Sequence, residues 1–273
     1  MTICIATICD GGQSVILMSD TMITADGLLS IEFEHKYPKI IKLAQNCAAA
    51  IAGDALIHTE LFEAVSAEVD KLKEPPISGI VQNTVNCFAD LRLKKIQERF
   101  IKKRGIPNIE TFYSIQQSMM PDVALMVQND IDSYGIELEV LVAGVDATGA
   151  HIHYVADPGT SMTWDSIGYH AVGSGSPHAL TTLIANDYNQ GIPLNKALLI
   201  TYEAKKIAER APGVGSNTNV AIINTKGVNM FDSNEIQTLN AVYAKKAEAE
   251  LALKQGTDWE NGLDELTHGN AEG

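Results

Sequence analysis

The second residue of the chain carries two groups that can do hydrolytic chemistry. Thr2 follows Met1, and removal of Met1 would leave Thr2 with a free α-amine beside its side-chain hydroxyl. In such a residue the hydroxyl is the nucleophile. The amine, whose ordinary pKa is about 7.7–8.0, can act as its base near neutral pH. Because chains that begin Met-Thr are common, this pair does not identify a site by itself.

An acidic residue is expected close to Thr2. Two apolar runs, Thr2–Cys9 and Ser14–Ser19, flank a short loop that contains glycine, and this pattern predicts a β-hairpin. If the loop is centred on Gly11, antiparallel pairing places Thr2 directly opposite Asp20. The alternative is that Asp20 begins a solvated loop, and the hairpin pattern alone does not decide between the two.

The remaining chemistry-bearing residues predict neither a metal nor a cofactor. His151 and His153 alternate on one expected strand and could present two ligands on one face, but we find no carboxylate or cysteine partner beside them in the sequence. Gly213–Gly215 is too short for a phosphate-binding loop and predicts a turn. The cysteines lack metal-type spacing and are expected to be buried, reduced thiols: Cys4, Cys9, Cys47 and Cys87.

The elements that must position these residues form clusters of strands and clusters of helices. Further strands are expected at Ile40–Leu43, Cys47–Ala52, Glu137–Val145, His151–Val155, Ser161–Asp165, Gly168–Val172, Asn219–Ile223 and Val228–Phe231. Helices are expected at Ala55–Leu72, Ser78–Lys103, Glu110–Met126 (interrupted near Pro121), Pro177–Asn189, Leu194–Ala211 and Asn234–Gln255. Clustered strands without a polar face favour two packed antiparallel sheets with helices outside, an α+β fold.

The chain contains no internal repeat and no linker before its C-terminal region. We therefore expect one domain over residues 1–256, with an extended helical region at 75–135. Residues 257–273 contain five acidic residues and no Lys or Arg, which predicts a flexible acidic tail.

Composition excludes several classes of function. The 273 residues are 45% hydrophobic, which is enough for a packed core, and the formal net charge is −14. That charge would repel phosphates, so we expect no nucleic-acid partner. No run approaches the about 20 apolar residues of a membrane span. The first residues lack a basic signal-peptide region, so we expect a cytoplasmic protein.

Several segments, in order along the chain, resemble the proteasome β-type subunit family. They are the second hairpin strand Val15–Thr24 with its Ser19-Asp20 end, the Lys39–Leu43 strand, Ala52-Gly53-Asp54-Ala55, Val142–Asp146, Asp157-Pro158-Gly159 and Val172–Ser176. Gly53 follows Lys39 by 14 residues, which is the family's separation. The match in order and spacing extends to about Phe231, whereas the 75–135 region and the acidic tail are additional.

The resemblance implies an N-terminal-nucleophile hydrolase with a four-layer αββα sandwich. Carried over to this sequence, it implies that Thr2 is the nucleophile and Lys39 the adjacent ammonium, held by Asp20. A cation there favours the neutral, basic amine and stabilises the alkoxide. The Gly53 N–H is implied as the oxyanion donor. Ser174 would orient the amine, and Thr24 would bind substrate backbone as an edge-strand partner.

Two positions depart from the family pattern. Active members commonly carry an Asp, and a Ser three residues later, where this chain has Ala211 and Val214. Neither side chain can form a hydrogen bond, and misplacement of the nucleophile can lower a rate about 100-fold. Ser216 or Asn217 are the polar candidates to replace them.

Three functions follow from the resemblance. The first is a threonine-type endopeptidase acting on peptides or unfolded proteins within a homo-oligomeric ring. The second is a catalytically silent ring or scaffold subunit, which Ala211 and Val214 favour. The third is a small-substrate amidase with the same nucleophile. An ATPase partner is compatible with the first function, but no residue argues for one.

Overall fold

A computed structural model describes residues 2–25, 31–34, 38–73 and 75–255. The predicted acidic tail at 257–273 lies outside the described residues. The described chain contains α-helices and antiparallel sheets, which confirms the α+β class.

Twelve strands are present in the described residues, and the long apolar runs of the sequence account for most of them. They are β1 (Cys4–Cys9), β2 (Ser14–Asp20), β3 (Met22–Ala25), β4 (Ile31–Glu34), β5 (Ile40–Ala44), β6 (Cys47–Gly53), β7 (Leu138–Asp146), β8 (Gly149–Ala156), β9 (Thr160–Thr163), β10 (Tyr169–Val172), β11 (Thr218–Asn224) and β12 (Gly227–Met230). The β3–β4 pair was not expected, although apolar Ile31 and Phe33 alternate with Glu32 and Glu34 as a strand requires.

The β1–β2 hairpin forms, but its predicted register was wrong by one residue. Cys4 lies opposite Ser19, so Asp20 lies opposite Ile3 rather than opposite Thr2. The Asp20 N–H donates to the Ile3 carbonyl at 3.2 Å. The reason is the loop: Asp10, Gly11 and Gly12 all have positive φ angles of 53°, 63° and 83°, and the loop spans one residue more than a turn centred on Gly11.

The strands form two five-stranded antiparallel sheets in the orders β10-β1-β2-β11-β12 and β5-β6-β7-β8-β9, together with the β3–β4 pair. One apolar cluster takes side chains from both five-stranded sheets, among them Ala6 and Leu17 from the first and Ala50 and Ile152 from the second. The first two strands are buried along their whole length. Thr2 and Asp20 therefore end in the interior rather than in solvent.

Seven α-helices are described: α1 (Ala55–Val69), α2 (Ile77–Ile96), α3 (Ile109–Ile115), α4 (Pro121–Ser133), α5 (Ser176–Ala185), α6 (Leu194–Ala208) and α7 (Ser233–Gln255). α1 and α2 pack on the second sheet through a cluster that includes Leu61, Phe88 and Val140. α5 and α6 contact β10, β1 and β2 of the first sheet.

The extended helical region has a small core of its own. α2 ends at Ile96 and continues through a π-helical turn, Gln97–Ile101, rather than running as one α-helix to Lys103. Phe112 of α3 and Val127 of α4 pack against Ile101 in this cluster. The break near Pro121 is observed as the start of α4, where proline at the first helical position has no N–H to leave unpaired.

The chain divides into two compact units, Met1–Phe231 and Asp232–Gly273. The first contains the sheets and α1–α6, and the described part of the second is the helix α7. A single domain over 1–256 stays a prediction. None of the helices that the structure describes is both long enough and apolar enough to cross a bilayer.

Candidate active site

The start of β1 and the end of β2 bring Thr2 and Asp20 together despite the shifted register. Thr2 is 3% exposed and Asp20 is fully buried. The Thr2 Oγ1 hydroxyl donates to Asp20 Oδ1 at 2.6 Å, and the Ile3 N–H donates to the same oxygen at 3.1 Å. The side-chain hydroxyl of Thr2 is therefore held in one orientation.

Lys39, which directly precedes β5 in the second sheet, reaches across to this pair. Its Nζ donates to Asp20 Oδ1 at 2.6 Å and also to Thr2 Oγ1. Its carbonyl accepts the Ile51 N–H at 3.1 Å, which attaches this part of the backbone to β6. Lys39 is 7% exposed, so its ammonium acts on the Thr2 oxygen at low dielectric, where charge interactions are strong. An ammonium in this position stabilises negative charge on that oxygen.

Asp20 is held by donors on both carboxylate oxygens. Its Oδ2 accepts the N–H groups of Met22 at 3.2 Å and Gly215 at 2.9 Å, in addition to the three donors on Oδ1. Burial of a carboxylate is costly unless hydrogen-bond donors replace the water that it loses, and these five donors do so for Asp20. The Gly215 contact was missed in the sequence analysis, and no local pattern identifies it, because 195 residues separate it from Asp20.

The loop that contains Gly215 is itself held by a buried lysine. Lys205 of α6 is fully buried, and its Nζ donates to the carbonyls of Gly215 at 3.0 Å and Ser216 at 2.9 Å. It also pairs with Glu209 Oε1 at 2.6 Å. Burial lowers the pKa of Lys205, and Glu209 partly offsets that effect. The sequence gives no clear signal for this lysine, because only the structure shows that the face of α6 that carries Thr201 and Lys205 is buried.

Ser174 contacts the backbone of Thr2, and its expected role in orienting the amine stays a prediction. The Thr2 N–H donates to Ser174 Oγ at 3.2 Å, and Ser174 Oγ donates in turn to the Thr2 carbonyl at 3.4 Å. Gly173 permits this approach, because its φ is 89° and a Cβ on it would collide with the Thr2 carbonyl oxygen. The Thr2 nitrogen therefore lies beside the Ser174 hydroxyl.

A cavity of about 510 Å³ opens beside Thr2. Gly53 and Ser174 line it together with residues of β7, β8 and the segments next to them. Gly53 ends β6 with a φ of 121°, and any Cβ there would collide with the Glu137 carbonyl oxygen. In the cavity wall, Glu139 accepts the Tyr154 hydroxyl at 3.1 Å. Burial and this carboxylate raise the pKa of Tyr154 to about 12.

The two positions that depart from the family pattern are buried in the folded protein and offer no side-chain hydrogen bond. Ala211 and Val214 are buried, and Val214 packs beside Gly175, the glycine that follows Ser174. In the described part of the chain, neither Ser216 nor Asn217 donates or accepts a side-chain hydrogen bond with Thr2. The Ser216 backbone does contribute to the site, because its carbonyl accepts a hydrogen bond from Lys205.

Thr24 is located in β3, where it pairs with Glu32 of β4. The position of its side chain lies outside the described part of the structure, so its expected contact with substrate backbone stays a prediction.

Comparison with known proteins identifies one relevant relative. Proteasome subunit beta 1 of Korarchaeum cryptofilum (strain OPF8) is 29% identical to this chain over 201 residues, which cover 69% of this chain and 88% of that protein. The chain is distantly similar to a proteasome beta subunit. This similarity supports, at that distance, the resemblance carried by the sequence segments. No known family model matches the chain.

Proposed function

We propose that the chain is a threonine-type peptidase of the proteasome superfamily, with the four-layer αββα sandwich of N-terminal-nucleophile hydrolases. The observation that carries the proposal is the buried cluster in which Lys39 and Asp20 both contact the Thr2 hydroxyl. The distant similarity to a proteasome subunit beta supports it independently. The sandwich is supported by the apolar cluster shared between the two sheets and by helices on the other side of each.

In the proposed reaction, removal of Met1 frees the α-amine of Thr2 beside Ser174 Oγ. The amine accepts the proton of the Thr2 hydroxyl as the oxygen attacks the substrate carbonyl, and Lys39 stabilises the developing charge. The Gly53 N–H donates to the carbonyl oxygen as it becomes an oxyanion. The proton then passes to the leaving amine, which leaves an ester on Thr2. The same α-amine activates the water that hydrolyses this ester.

Asp20 has a positioning role in this scheme. Its Oδ1 holds both the Lys39 ammonium and the Thr2 hydroxyl, and its Oδ2 is fixed by the N–H of Gly215. The buried Lys205 keeps the Gly215 loop in place. Ala211 and Val214 offer no side-chain hydrogen bond, but backbone groups of the neighbouring Gly215 loop hold Asp20 instead. This support is the argument for activity despite those two residues.

The cavity beside Thr2 favours basic side chains in the substrate. Three acidic residues, Glu137, Glu139 and Asp157, are among those that line it. Asp157 is paired with Arg92 at 3.3 Å, whereas Glu137 is exposed. We expect fluorogenic peptides with Arg before the scissile bond to be cleaved at least about tenfold faster than peptides with Glu there, since like charges repel.

Two measurements test the proposed function. The first is the intact mass of the purified native protein, because a retained Met1 would block the amine and refute this mechanism. The second is hydrolysis of a fluorogenic peptide panel by the wild type, Thr2→Ala and Thr2→Ser. Loss of the hydroxyl should lower the rate at least about 1,000-fold. Serine keeps an oxygen nucleophile at the same place and should retain activity within about 100-fold.

A catalytically silent ring subunit is the second candidate, and apolar Ala211 and Val214 favour it. Wild-type protein with Met1 removed that cleaves no peptide of the panel supports this candidate. Cleavage of a small amide instead of peptides supports a small-substrate amidase. The peptidase and the silent subunit are both proposed in a homo-oligomeric ring, and native mass spectrometry that shows only the 29.4 kDa monomer would refute the ring.

A further inference from the structure

A cluster of histidines and carboxylates lies on the other face of the second sheet from the candidate active site. His151 and His153 of β8 point to one face, because side chains alternate along a strand. The intervening Ile152 and the following Tyr154 belong to the apolar cluster between the sheets, and Tyr154 lines the Thr2 cavity. The histidines therefore do not belong to the site already described.

The fold supplies the carboxylate that the sequence analysis did not find. Thr163 of β9 pairs with His153, and continuing this register places Asp165 across from His151. Two hydrogen bonds hold that extension: Trp164 N–H donates to the Ile152 carbonyl at 2.8 Å, and Ile152 N–H donates to Asp165 Oδ1 at 2.8 Å. Asp165 is thus held against β8 by the backbone of the preceding Trp164 and by its own Oδ1.

The other oxygen of Asp165 faces the histidines. Asp165 Oδ2 lies 2.7 Å from His151 Nδ1, and one donor atom each from His151, His153 and Asp165 lie within 4.8 Å of one another. Ligand atoms around a tetrahedral zinc ion, with bonds of about 2.0–2.1 Å, lie about 3.3 Å apart. Small side-chain rotations bring the three donors to that spacing. All three residues are partly exposed, so an ion can enter from solvent.

A fourth residue orients the first histidine. The other ring nitrogen of His151, Nε2, lies 2.7 Å from the Thr148 hydroxyl and 3.2 Å from Asp146 Oδ1, and the Thr148 hydroxyl itself donates to Asp146 Oδ1 at 2.6 Å. Asp146 is itself fixed, because its oxygens accept N–H groups from Thr148 at 2.8 Å and from Ile77, at the start of α2, at 3.1 Å. A metal-binding histidine characteristically donates its second N–H to a carboxylate in this way, which leaves the first nitrogen with a lone pair for the ion.

We propose that His151, His153 and Asp165 bind a divalent transition-metal ion of the zinc class, with Asp146 orienting His151. Two imidazoles and one carboxylate are a donor set that suits Zn²⁺, with a fourth position left for water. The competing explanation is a metal-free ion pair in which His151 bridges Asp146 and Asp165. That pair leaves His153 without a role, and His153 has no hydrogen-bond partner among the side chains that the structure describes.

The test is titration of the full, untagged chain with Zn²⁺ after removal of metals by a chelator. We expect one ion per chain by calorimetry and by elemental analysis after dialysis. Replacement by Co²⁺ should give the visible absorption of a four-coordinate ion. His153→Ala and Asp165→Asn should each weaken binding at least about 100-fold, and Asp146→Asn should weaken it about 10–100-fold.

His178→Ala is the matched control, because His178 is an exposed histidine of α5 outside the cluster, and this variant should bind as the wild type does. Circular dichroism of each variant without metal shows whether it is folded. If His153→Ala is not folded, His153→Gln, which keeps a polar side chain of similar length, replaces it. A wild type that binds no Zn²⁺ overturns the proposal. So does binding that survives the loss of His153, and so does equal weakening in the His178 variant.

Discussion

The buried lysine of α6 allows a sharp test of how the candidate site is held together. We expect Lys205→Met to lower the free energy of unfolding by about 2–4 kcal/mol. The variant leaves the carbonyls of Gly215 and Ser216 without the donor that binds them at 3.0 and 2.9 Å, and a buried polar group left unpaired costs about 1–3 kcal/mol. The range is set about 1 kcal/mol lower than the about 3–5 kcal/mol of a fully broken buried ion pair, because Glu209 keeps Lys206 as a partner at 2.7 Å.

Lys206→Met is the matched control for this experiment. It removes a neighbouring lysine bound to the same glutamate, but that side chain is partly exposed, at 22%, and we expect its ion pair to contribute about 0–1 kcal/mol, as ion pairs in contact with solvent do. The assay is urea unfolding followed by circular dichroism. Hydrogen exchange should also show faster exchange of the Gly215 amide in Lys205→Met alone, because that N–H bonds to Asp20. Equal loss of stability in the two variants, within about 0.5 kcal/mol, would refute this account of Lys205.

Three further predictions concern glycine geometry, pH and thiols. Gly173→Ala should cost about 2–5 kcal/mol by urea unfolding, because φ is 89° and the new Cβ meets Thr2. Gly11→Ala, at φ 63° in open space, should cost only about 1–2 kcal/mol, and equal losses would contradict the collision. Burial lowers the pKa of His170 from 6.5 to about 4, so folding favours its neutral form. The free energy of unfolding is therefore highest above pH 6.5 and falls by about 1–2 kcal/mol as the pH is lowered towards 4, after allowing for the partial exposure of His170. This fall should be absent in His170→Phe. An identical pH slope in both proteins would contradict it. All four free cysteines are buried, and burial raises their pKa values, so a disulfide reagent at pH 8 should label them only in urea. Labelling of the folded chain would be the contrary result.

Most strands could be predicted from the sequence, because short β-branched and aliphatic runs bounded by glycine turns are typical of buried strands. The predicted strand at Cys47–Ala52 is observed as Cys47–Gly53, and Ser14–Ser19 as Ser14–Asp20. The hairpin register was wrong, because it depends on how many residues of the loop adopt positive φ. The break after Ile96 was also not predicted, because the residues on both sides of it favour helix.

The local pattern indicated that Thr2 and Asp20 lie near adjacent hairpin ends, because a hairpin joins residues that are close in sequence, but it did not decide whether Asp20 faces Thr2 or solvent. Lys39 directly precedes a strand of the other sheet, and its contact with that pair depends on the packing of the two sheets. The tertiary structure alone brings Gly215 to Asp20, across 195 residues. Asp165 meets His151 across the β8–β9 hairpin, and the sequence did not predict that register. The physical reason is shared: a strand's own residues determine which way its side chains point. Only the strands and loops packed beside it determine which distant side chains and N–H groups they meet.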